Sequence, residues 1–249
     1  MADQPYVRAV VTGASSGIGA AVVERLCKAG LEVHAVARDA KRLAALAERT
    51  GCIPQPVSVT DTAAMAALFE HHEIDVLVNN AGQSRTGNLR DTTDDDIDAL
   101  VDVNLRAVLH VTHAALKGMV ARNRGHVVNL SSIAGHYAFP GGNTVYHATK
   151  AGVHSLSRQL RCDLFGTRIR ITEVSPARVE TEVFGRLLGD MAEAQKRYYD
   201  EYESLLPGDI ADAIAFAVLA PQRMNVSFME VLPTMQVVGG LNFAKKTAE

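Results

Sequence analysis

TGASSGIG, residues 12–19, is the stretch of this sequence that decides the fold. It follows a short β-branched run, Arg8–Val11, and opens an Ala-rich helical stretch, Gly17–Ala29. Glycine permits a tight turn here and close approach of the backbone to a pyrophosphate. The free N–H groups at the start of a helix favour the same anion. The turn therefore predicts nucleotide binding, although three glycines alone also fit an ordinary strand-to-helix turn.

The rest of the chain alternates β-branched runs with helical stretches. The further runs are Glu32–Ala37, Ile53–Val59, Ile74–Val78, His126–Leu130, Ile169–Val174 and Val226–Leu232. This alternation, with continuous apolar strands such as Val76–Val78, predicts an α/β fold. We expect one Rossmann domain over residues 1–249, a doubly wound, mostly parallel seven-stranded sheet with helices on both faces. The charged, Tyr-rich segment 181–206 is either a substrate lid or an ordinary pair of surface helices.

Composition limits the classes of partner. The 249 residues are 47% apolar and 21% charged, with a net charge of −3, which favours neither nucleic acid nor a membrane surface as partner. The three cysteines have no metal or redox spacing, so we expect reduced thiols in a cytoplasmic protein that acts on a small molecule. The acidic run Asp94–Asp96 precedes a helix, where the dipole favours it, and no metal site is predicted.

Two residues of the sequence YHATK suggest acid–base chemistry. Tyr146 and Lys150 are four apart, so a helix would place them on one face. A free phenol has a pKa near 10, and a nearby ammonium favours the phenolate. We therefore expect Lys150 to lower the pKa of Tyr146. Ser132 follows the run His126–Leu130, at the strand end where α/β sheets bind ligands, and its hydroxyl can bond a substrate oxygen.

These motifs together resemble the short-chain dehydrogenase/reductase family. TGASSGIG, the sequence NNAG at Asn79–Gly82, and then Asn104, Ser132, Tyr146 and Lys150 occur in the family's order. Alone, each residue could be a surface Ser, packed Tyr, solvated Lys or core Asn; as a set they predict a catalytic site. The resemblance covers essentially the whole chain. It implies hydride transfer between a nicotinamide dinucleotide and a carbonyl/alcohol pair.

The resemblance also implies individual roles. Tyr146 would be the general acid/base, Ser132 would stabilise the substrate oxygen, and Lys150 would hold the nicotinamide ribose. Asn104, in an apolar helical stretch that disfavours Asn, would hold a water of a proton relay. Ser132 rather than Ser131 matches the second serine of the family's N-x-S-S pattern. Residues 176–181 would hold the carboxamide, although Ala177 replaces the usual glycine and restricts φ.

The end of the second strand predicts which dinucleotide binds. Ala37 occupies the place of the acid that would bond the ribose of NAD, and Arg38, which suits a 2′-phosphate, follows. We therefore expect NADP(H), although Asp39 could pair with Arg38 or point toward the ribose. The expected cofactor-binding residues are Gly13, Ser15, Ser16, Gly17, Ile18, Gly19, Arg38, Val59, Asn80, Ala81, Gly82, Tyr146, Lys150, Pro176, Val179 and Thr181.

Two segments indicate a branch of the family. GHVVNLSSIAGHYAFPGGNTVYHATKA and MEVLPTMQVVGGLNF resemble the NADP-dependent 3-hydroxy acid and serine dehydrogenases, including the spacing of Glu230, Pro233 and Gln236. This implies a small polar 3-hydroxy acid, semialdehyde or sulfoacetaldehyde-like substrate, bound by Ser132, Tyr146 and Arg178. The alternatives are a biosynthetic ketoreductase for larger neutral substrates and a non-catalytic nucleotide sensor.

The sequence also predicts association. The helical segments Asp95–Val120 and Val145–Phe165 are long and apolar on more than one face. The family resemblance implies a four-helix interface between such segments. We therefore expect a homotetramer, or at least a dimer.

Overall fold

The computed structural model of the chain describes residues 6–85, 87–139 and 143–237. The strands found there are β1 (Arg8–Thr12), β2 (Glu32–Val36), β3 (Ile53–Gln55), β4 (Val76–Asn79), β5 (Gly125–Leu130), β6 (Ile169–Pro176) and β7 (Phe228–Val231). The α-helices are α1 (Gly17–Lys28), α2 (Ala40–Thr50), α3 (Thr62–His71), α4 (Asp94–Val101), α5 (Ala107–Ala121), α6 (Thr144–Asp163), α7 (Val183–Leu188), α8 (Met191–Tyr198) and α9 (Pro207–Leu219).

The strands form one parallel sheet in the order β3-β2-β1-β4-β5-β6-β7. The chain builds outward from β1 to β3 and then returns to place β4 on the other side of β1. Ligands of such sheets bind beyond the carboxyl ends of the strands, where the order reverses. The predicted doubly wound, seven-stranded fold is confirmed, and the glycine turn after β1 lies at this reversal.

Both faces of the sheet are covered by apolar side chains. On β1, Ala9 and Val11 belong to a core formed with α1, α2 and α9, whereas Val10 belongs to a second core with α3, α5 and α6. Alternate residues of a strand point to opposite faces. Because both faces are buried, most strand positions are apolar, which accounts for continuous runs such as Val76–Val78.

Some predicted elements differ in detail. The run Ile53–Val59 is a strand only as far as Gln55. The segment Asp95–Val120 is not one helix, because a π-helical turn over Asp102–Arg106 separates α4 from α5. Asn104 lies in this turn, and such turns are frequent at functional sites. Within the described ranges, no helix is long and apolar enough to span a membrane.

Candidate active site

The glycine turn after β1 needs glycine for conformation and for space. Gly13 and Gly17 have φ of +67° and +54°, in the left-handed region that side chains disfavour. A Cβ on Gly13 would lie 2.8 Å from Ala81 Cα, and one on Gly19 would lie 2.3 Å from the carbonyl oxygen of Gly13. Gly19 thus lets α1 pack on its own turn, and the absence of side chains leaves the turn's backbone exposed to a ligand.

The NNAG segment after β4 braces that turn. Thr12 Oγ1 accepts from the backbone N–H groups of Asn80 and Ala81, at 3.0 and 3.1 Å. Asn80 Nδ2 donates to the carbonyl oxygen of Thr12, at 2.8 Å. These bonds join the ends of β1 and β4, so the two motifs recognised in the sequence form one structural unit.

Helix α6 carries Tyr146 and Lys150 beside this unit. Asn143 caps the helix by accepting from the backbone N–H of Tyr146, at 2.9 Å. Lys150 is buried and donates from Nζ to the carbonyl oxygen of Leu130, at 2.8 Å. Its ammonium lies 5.8 Å from the centre of the Tyr146 ring. The expected pairing on one helix face is therefore present, with the ammonium over the ring.

The two serines after β5 have different partners. Ser131 is buried and donates to the carbonyl oxygen of Lys150, at 3.1 Å, which attaches the loop to α6. Ser132 accepts from the backbone N–H of Ala134, at 3.2 Å, and its hydroxyl lies beside the phenol of Tyr146 and lowers the pKa of that phenol. Ser132, the serine that the resemblance implies, is thus the one placed next to the tyrosine.

Burial is the largest cause of the pKa shifts of Tyr146 and Lys150. Burial raises the pKa of Tyr146, and the neighbouring Ser132 hydroxyl offsets part of that rise. Burial lowers the pKa of Lys150 to about 8, opposed by the charge of Glu173. The expected lowering of the Tyr146 pKa by Lys150 is not found in this conformation. The ammonium donates to the carbonyl oxygen of Leu130 rather than to the phenol oxygen.

Asn104 links the loop after β4 to the catalytic helix. Its Oδ1 accepts from the backbone N–H of Gln83 at 2.7 Å, and its Nδ2 donates to the carbonyl oxygen of Gln83 at 2.9 Å. Nδ2 also lies 3.3 Å from Thr149 Oγ1, next to Lys150. A Cβ on Gly82 would lie 3.5 Å from Asn104 Oδ1 and 3.7 Å from Lys150 Nζ. These groups therefore occupy one site.

The loop after β6 faces the glycine turn. Ala177 donates its N–H to the carbonyl oxygen of Val231, at 2.8 Å, and its φ is not positive, so the missing glycine needs no special conformation. Thr181 Cγ2 lies 3.4 Å from where a Gly17 Cβ would stand. Tyr199, buried under the loop, donates to the carbonyl oxygen of Thr181, at 3.2 Å. Residues 176–181 thus form the opposite wall of a groove.

The residues expected at the adenosine end are also near that groove. Arg38 is exposed directly after β2. Asp39 accepts a hydrogen bond from the backbone N–H of Arg42, at 3.0 Å, so its side chain caps α2. Val59 is half-buried and lines a small void together with Thr12 and Ala81.

Three contacts at the groove, two of which cross it, were missed from the sequence. Glu182, just before α7, accepts from Arg42 on α2 at 2.8 Å and from Arg186. Arg186 also donates to Ser16 Oγ in the glycine turn, at 3.1 Å. Beneath them lies a cavity of about 280 Å³, lined in part by Gly17, Thr181 and Tyr199. Partners 140 residues apart leave no signal in local sequence.

Arg178 is attached to the segment 181–206. Its guanidinium lies 5.7 and 5.4 Å from the ring centres of Tyr198 and Tyr202, and it donates to the carbonyl oxygen of Tyr198 at 3.2 Å. Its backbone N–H is 3.4 Å from Gln236 Oε1, of the C-terminal Glu-x-x-Pro-x-x-Gln pattern. Burial lowers the pKa of this guanidinium. The structure therefore brings Arg178 to the aromatic segment.

Comparisons with known proteins agree with this architecture. The family model described as short chain dehydrogenase matches residues 8–191. The "uncharacterized short-chain type dehydrogenase/reductase y4eK" of Sinorhizobium fredii is 42% identical over 241 residues, 96% of each chain. The NADP-dependent 3-hydroxy acid dehydrogenase YdfG of Escherichia coli K12 is 35% identical over 244 residues, 94% of this chain and 97% of the relative.

A solved structure is similar over the same extent. The closed form of serine dehydrogenase complexed with NADP+ has a TM-score of 0.89 and 33% identity, covering 96% of this chain and all of that one. The predicted branch of relatives is thus confirmed. With a family model over most of its length and relatives matched nearly end to end, the chain belongs to the short-chain dehydrogenase family.

Proposed function

We propose that the protein is an NADP-dependent oxidoreductase that interconverts a carbonyl and an alcohol on a small polar 3-hydroxy acid or related aldehyde. The observation that carries this proposal is that Ser132 and Lys150 both lie beside Tyr146, at the strand ends next to the glycine turn. The names of YdfG and of the serine dehydrogenase support the substrate class.

The residues of the groove fit a phosphorylated dinucleotide. A Cβ would crowd the turn at Gly13, and the helix start beyond it offers free N–H groups to a pyrophosphate. Ala37 leaves no carboxylate at the end of β2 to repel a 2′-phosphate, and Arg38 is exposed there. In this site NADP(H) supplies or accepts the hydride. Gly13–Gly19, Asn80–Gly82 and residues 176–181 would hold it, together with Tyr146 and Lys150.

The chain's own groups handle the proton. Burial keeps the phenol of Tyr146 protonated at neutral pH, which is the form that gives a proton to a carbonyl oxygen. Ser132 donates a hydrogen bond to the same oxygen as charge develops on it. In the reverse direction the phenol must lose its proton. The Lys150 ammonium, if it turned from Leu130 toward the phenol, would favour that loss by stabilising the phenolate. Asn104 Oδ1 retains one lone pair for a relay water besides its bond to Gln83.

The segment 181–206 is proposed as the substrate lid. Helices α7 and α8 cover the cavity beside Thr181, and Arg42 and Arg186 hold them through Glu182. The phosphates of a dinucleotide would compete with Glu182 for these two cations. Closure of the lid would then depend on the bound cofactor.

A substrate panel tests the proposal. Purified protein with NADP+ is offered 3-hydroxy acids of increasing length, serine, and neutral secondary alcohols of matched size, and kcat/KM is measured for each. We expect the short acids to exceed the matched neutral alcohols by about tenfold or more, the effect of one charge-assisted hydrogen bond. Faster turnover of the larger neutral alcohols would instead support the biosynthetic ketoreductase.

Arg178→Ala should raise KM for acids more than for neutral aldehydes. Arg178 is the half-buried cation of the loop that ends β6, and a lost charge-assisted bond costs about 1.5–3 kcal/mol. Michaelis constants for one acid and one neutral aldehyde check this. Arg197→Ala is the matched control, because Arg197 also lies over the Tyr198 ring, at 5.5 Å, but is exposed. Equal increases for acid and aldehyde would remove Arg178 from substrate binding.

The protein is also proposed to be a cytoplasmic homotetramer, or at least a dimer. Val101, Leu109 and Val120 are exposed apolar residues of α4 and α5, at 37%, 45% and 49%. Burying such faces between copies is favourable at about 25 cal/mol per Å². Light scattering at micromolar concentration should give about four times, and at least twice, the chain mass of 26.7 kDa. A mass equal to one chain would refute association.

A further inference from the structure

Behind the catalytic loop, a cluster of three side chains has no role in the proposed reaction. His136 ends the short turn after Ser132, His154 lies on α6 and Glu173 on β6. Glu173 Oε1 lies 3.0 Å from His136 Nε2, and Oε2 lies 2.7 Å from His154 Nδ1. One nitrogen or oxygen from each of the three residues lies within 4.8 Å of the others. Their separation along the chain hid this cluster from the sequence.

The carboxylate of this cluster is buried without a permanent cation. The side chain of Glu173 is only 2% exposed, and among the described residues no Lys or Arg forms an ion pair with it. The ammonium of Lys150 donates to Leu130 instead. A buried carboxylate is costly unless a cation compensates it. The two imidazoles hydrogen-bond the two carboxylate oxygens, and a bound cation would compensate the charge of that carboxylate.

We propose that His136 Nε2, His154 Nδ1 and the Glu173 carboxylate bind a divalent transition-metal ion, with Zn²⁺ as the best fit. Two imidazoles and one carboxylate are a ligand set that zinc accepts. Metal–ligand bonds of about 2.0–2.2 Å place tetrahedral ligands about 3.3 Å apart. The two observed contacts with Glu173 need to lengthen by only a few tenths of an ångström, and rotation of the rings brings the two nitrogens together. This replaces the prediction of no metal site.

The surroundings support a metal site. Ser175 donates from Oγ to Glu173 Oε1, at 3.0 Å. Hydrogen bonds of this kind orient the side chains that bind a metal ion. The ring of Phe228 covers His136, with centres 5.0 Å apart. The imidazole side chains are 14% and 27% exposed, so an ion and a fourth, water ligand have access. An imidazole binds a metal ion through a ring nitrogen that carries no proton, while its other nitrogen holds the ring proton.

Metal binding here would stabilise the catalytic loop. His136 is four residues beyond Ser132, and Gly135 lies so close to α6 that a Cβ would be 2.8 Å from the carbonyl carbon of Lys150. An ion held by His136, His154 and Glu173 would connect this loop to α6 and β6 at one point. We therefore expect metal to raise thermal stability. This expectation is independent of the proposed substrate and cofactor.

The test uses the full chain without an affinity tag, freed of metal by chelation and titrated with Zn²⁺ by calorimetry and with Co²⁺ by visible absorption. We expect one ion per chain, a tetrahedral Co²⁺ spectrum displaced by Zn²⁺, and a higher Tm with Zn²⁺. His154→Gln and Glu173→Gln should weaken Zn²⁺ binding by about tenfold or more. Losing a side chain that only hydrogen-bonds a metal ligand already lowers metal affinity by about that factor. His136→Gln provides a third variant if Glu173→Gln does not fold.

His113→Gln is the matched control, because His113 is exposed on α5, away from the cluster. It should bind Zn²⁺ like the wild type. Three outcomes would each overturn the proposal. These are no Zn²⁺ or Co²⁺ binding by the wild type, wild-type affinity in His154→Gln, or an equal loss of affinity in His113→Gln.

Discussion

Tyr146→Phe should lower kcat by about 10²–10⁴-fold, the usual contribution of a positioned general acid. The phenylalanine keeps the ring that packs beneath the Lys150 ammonium, whose distance to the ring centre is 5.8 Å. It removes only the hydroxyl, which lies beside Ser132 and is proposed to give the proton to the substrate oxygen. Affinity for the dinucleotide, measured by fluorescence quenching, should stay nearly unchanged, because the phenol oxygen is needed for proton transfer.

Tyr137→Phe is the control for this experiment. Tyr137 follows the same loop, but its phenol lies beside the Glu230 carboxylate, which raises the pKa of that phenol. Its loss should leave kcat close to that of the wild type. If Tyr146→Phe retained more than a few per cent of the wild-type rate, Tyr146 would not be the acid/base.

Ala37→Asp combined with Arg38→Leu should reverse the preference between cofactors. Arg38 is exposed after β2, and a charge-assisted bond to a 2′-phosphate is worth about 1.5–3 kcal/mol, or about tenfold to a hundredfold in affinity. An aspartate at position 37 would bond the ribose hydroxyl of NAD and repel that phosphate. Values of kcat/KM with NADPH and NADH, for wild type and variant, check the reversal.

Arg38→Leu alone is the matched control, since Ala37 is 8% exposed and an aspartate there could weaken the fold. This single variant should lose the preference for NADPH by about tenfold or more without gaining activity with NADH. If Arg38→Leu kept the wild-type preference for NADPH over NADH, other cations would bind the 2′-phosphate. Arg42 and Arg186, which Glu182 joins across the groove, would then be the candidates.

The sequence was sufficient for the fold because its signals are local. The glycine turn at Gly13–Gly19 and the apolar strands depend on neighbouring residues, and the seven-stranded parallel sheet is confirmed. Asn104 also had a local signal, since an amide within an apolar helical stretch is unfavourable without a partner. The structure supplies that partner in the backbone of Gln83.

Contacts between distant segments could not be predicted in the same way. The pairing of Arg42 with Glu182 and the cluster of His136, His154 and Glu173 join positions far apart in the chain. The expected effect of Lys150 on Tyr146 was wrong for this conformation for a related reason. Spacing along α6 predicted that Tyr146 and Lys150 lie together. It could not reveal that the Lys150 ammonium donates to the carbonyl oxygen of Leu130.

Initial rates of 3-hydroxy acid oxidation with NADP+ and with NAD+, for wild type and Tyr146→Phe, test the central claim most directly. Reduction of the dinucleotide is followed by its absorbance. The account predicts that wild type forms NADPH, that NADP+ exceeds NAD+ by about tenfold or more in kcat/KM, and that Tyr146→Phe forms almost none. A wild type that prefers NAD+, or one no faster than Tyr146→Phe with any 3-hydroxy acid, would contradict it.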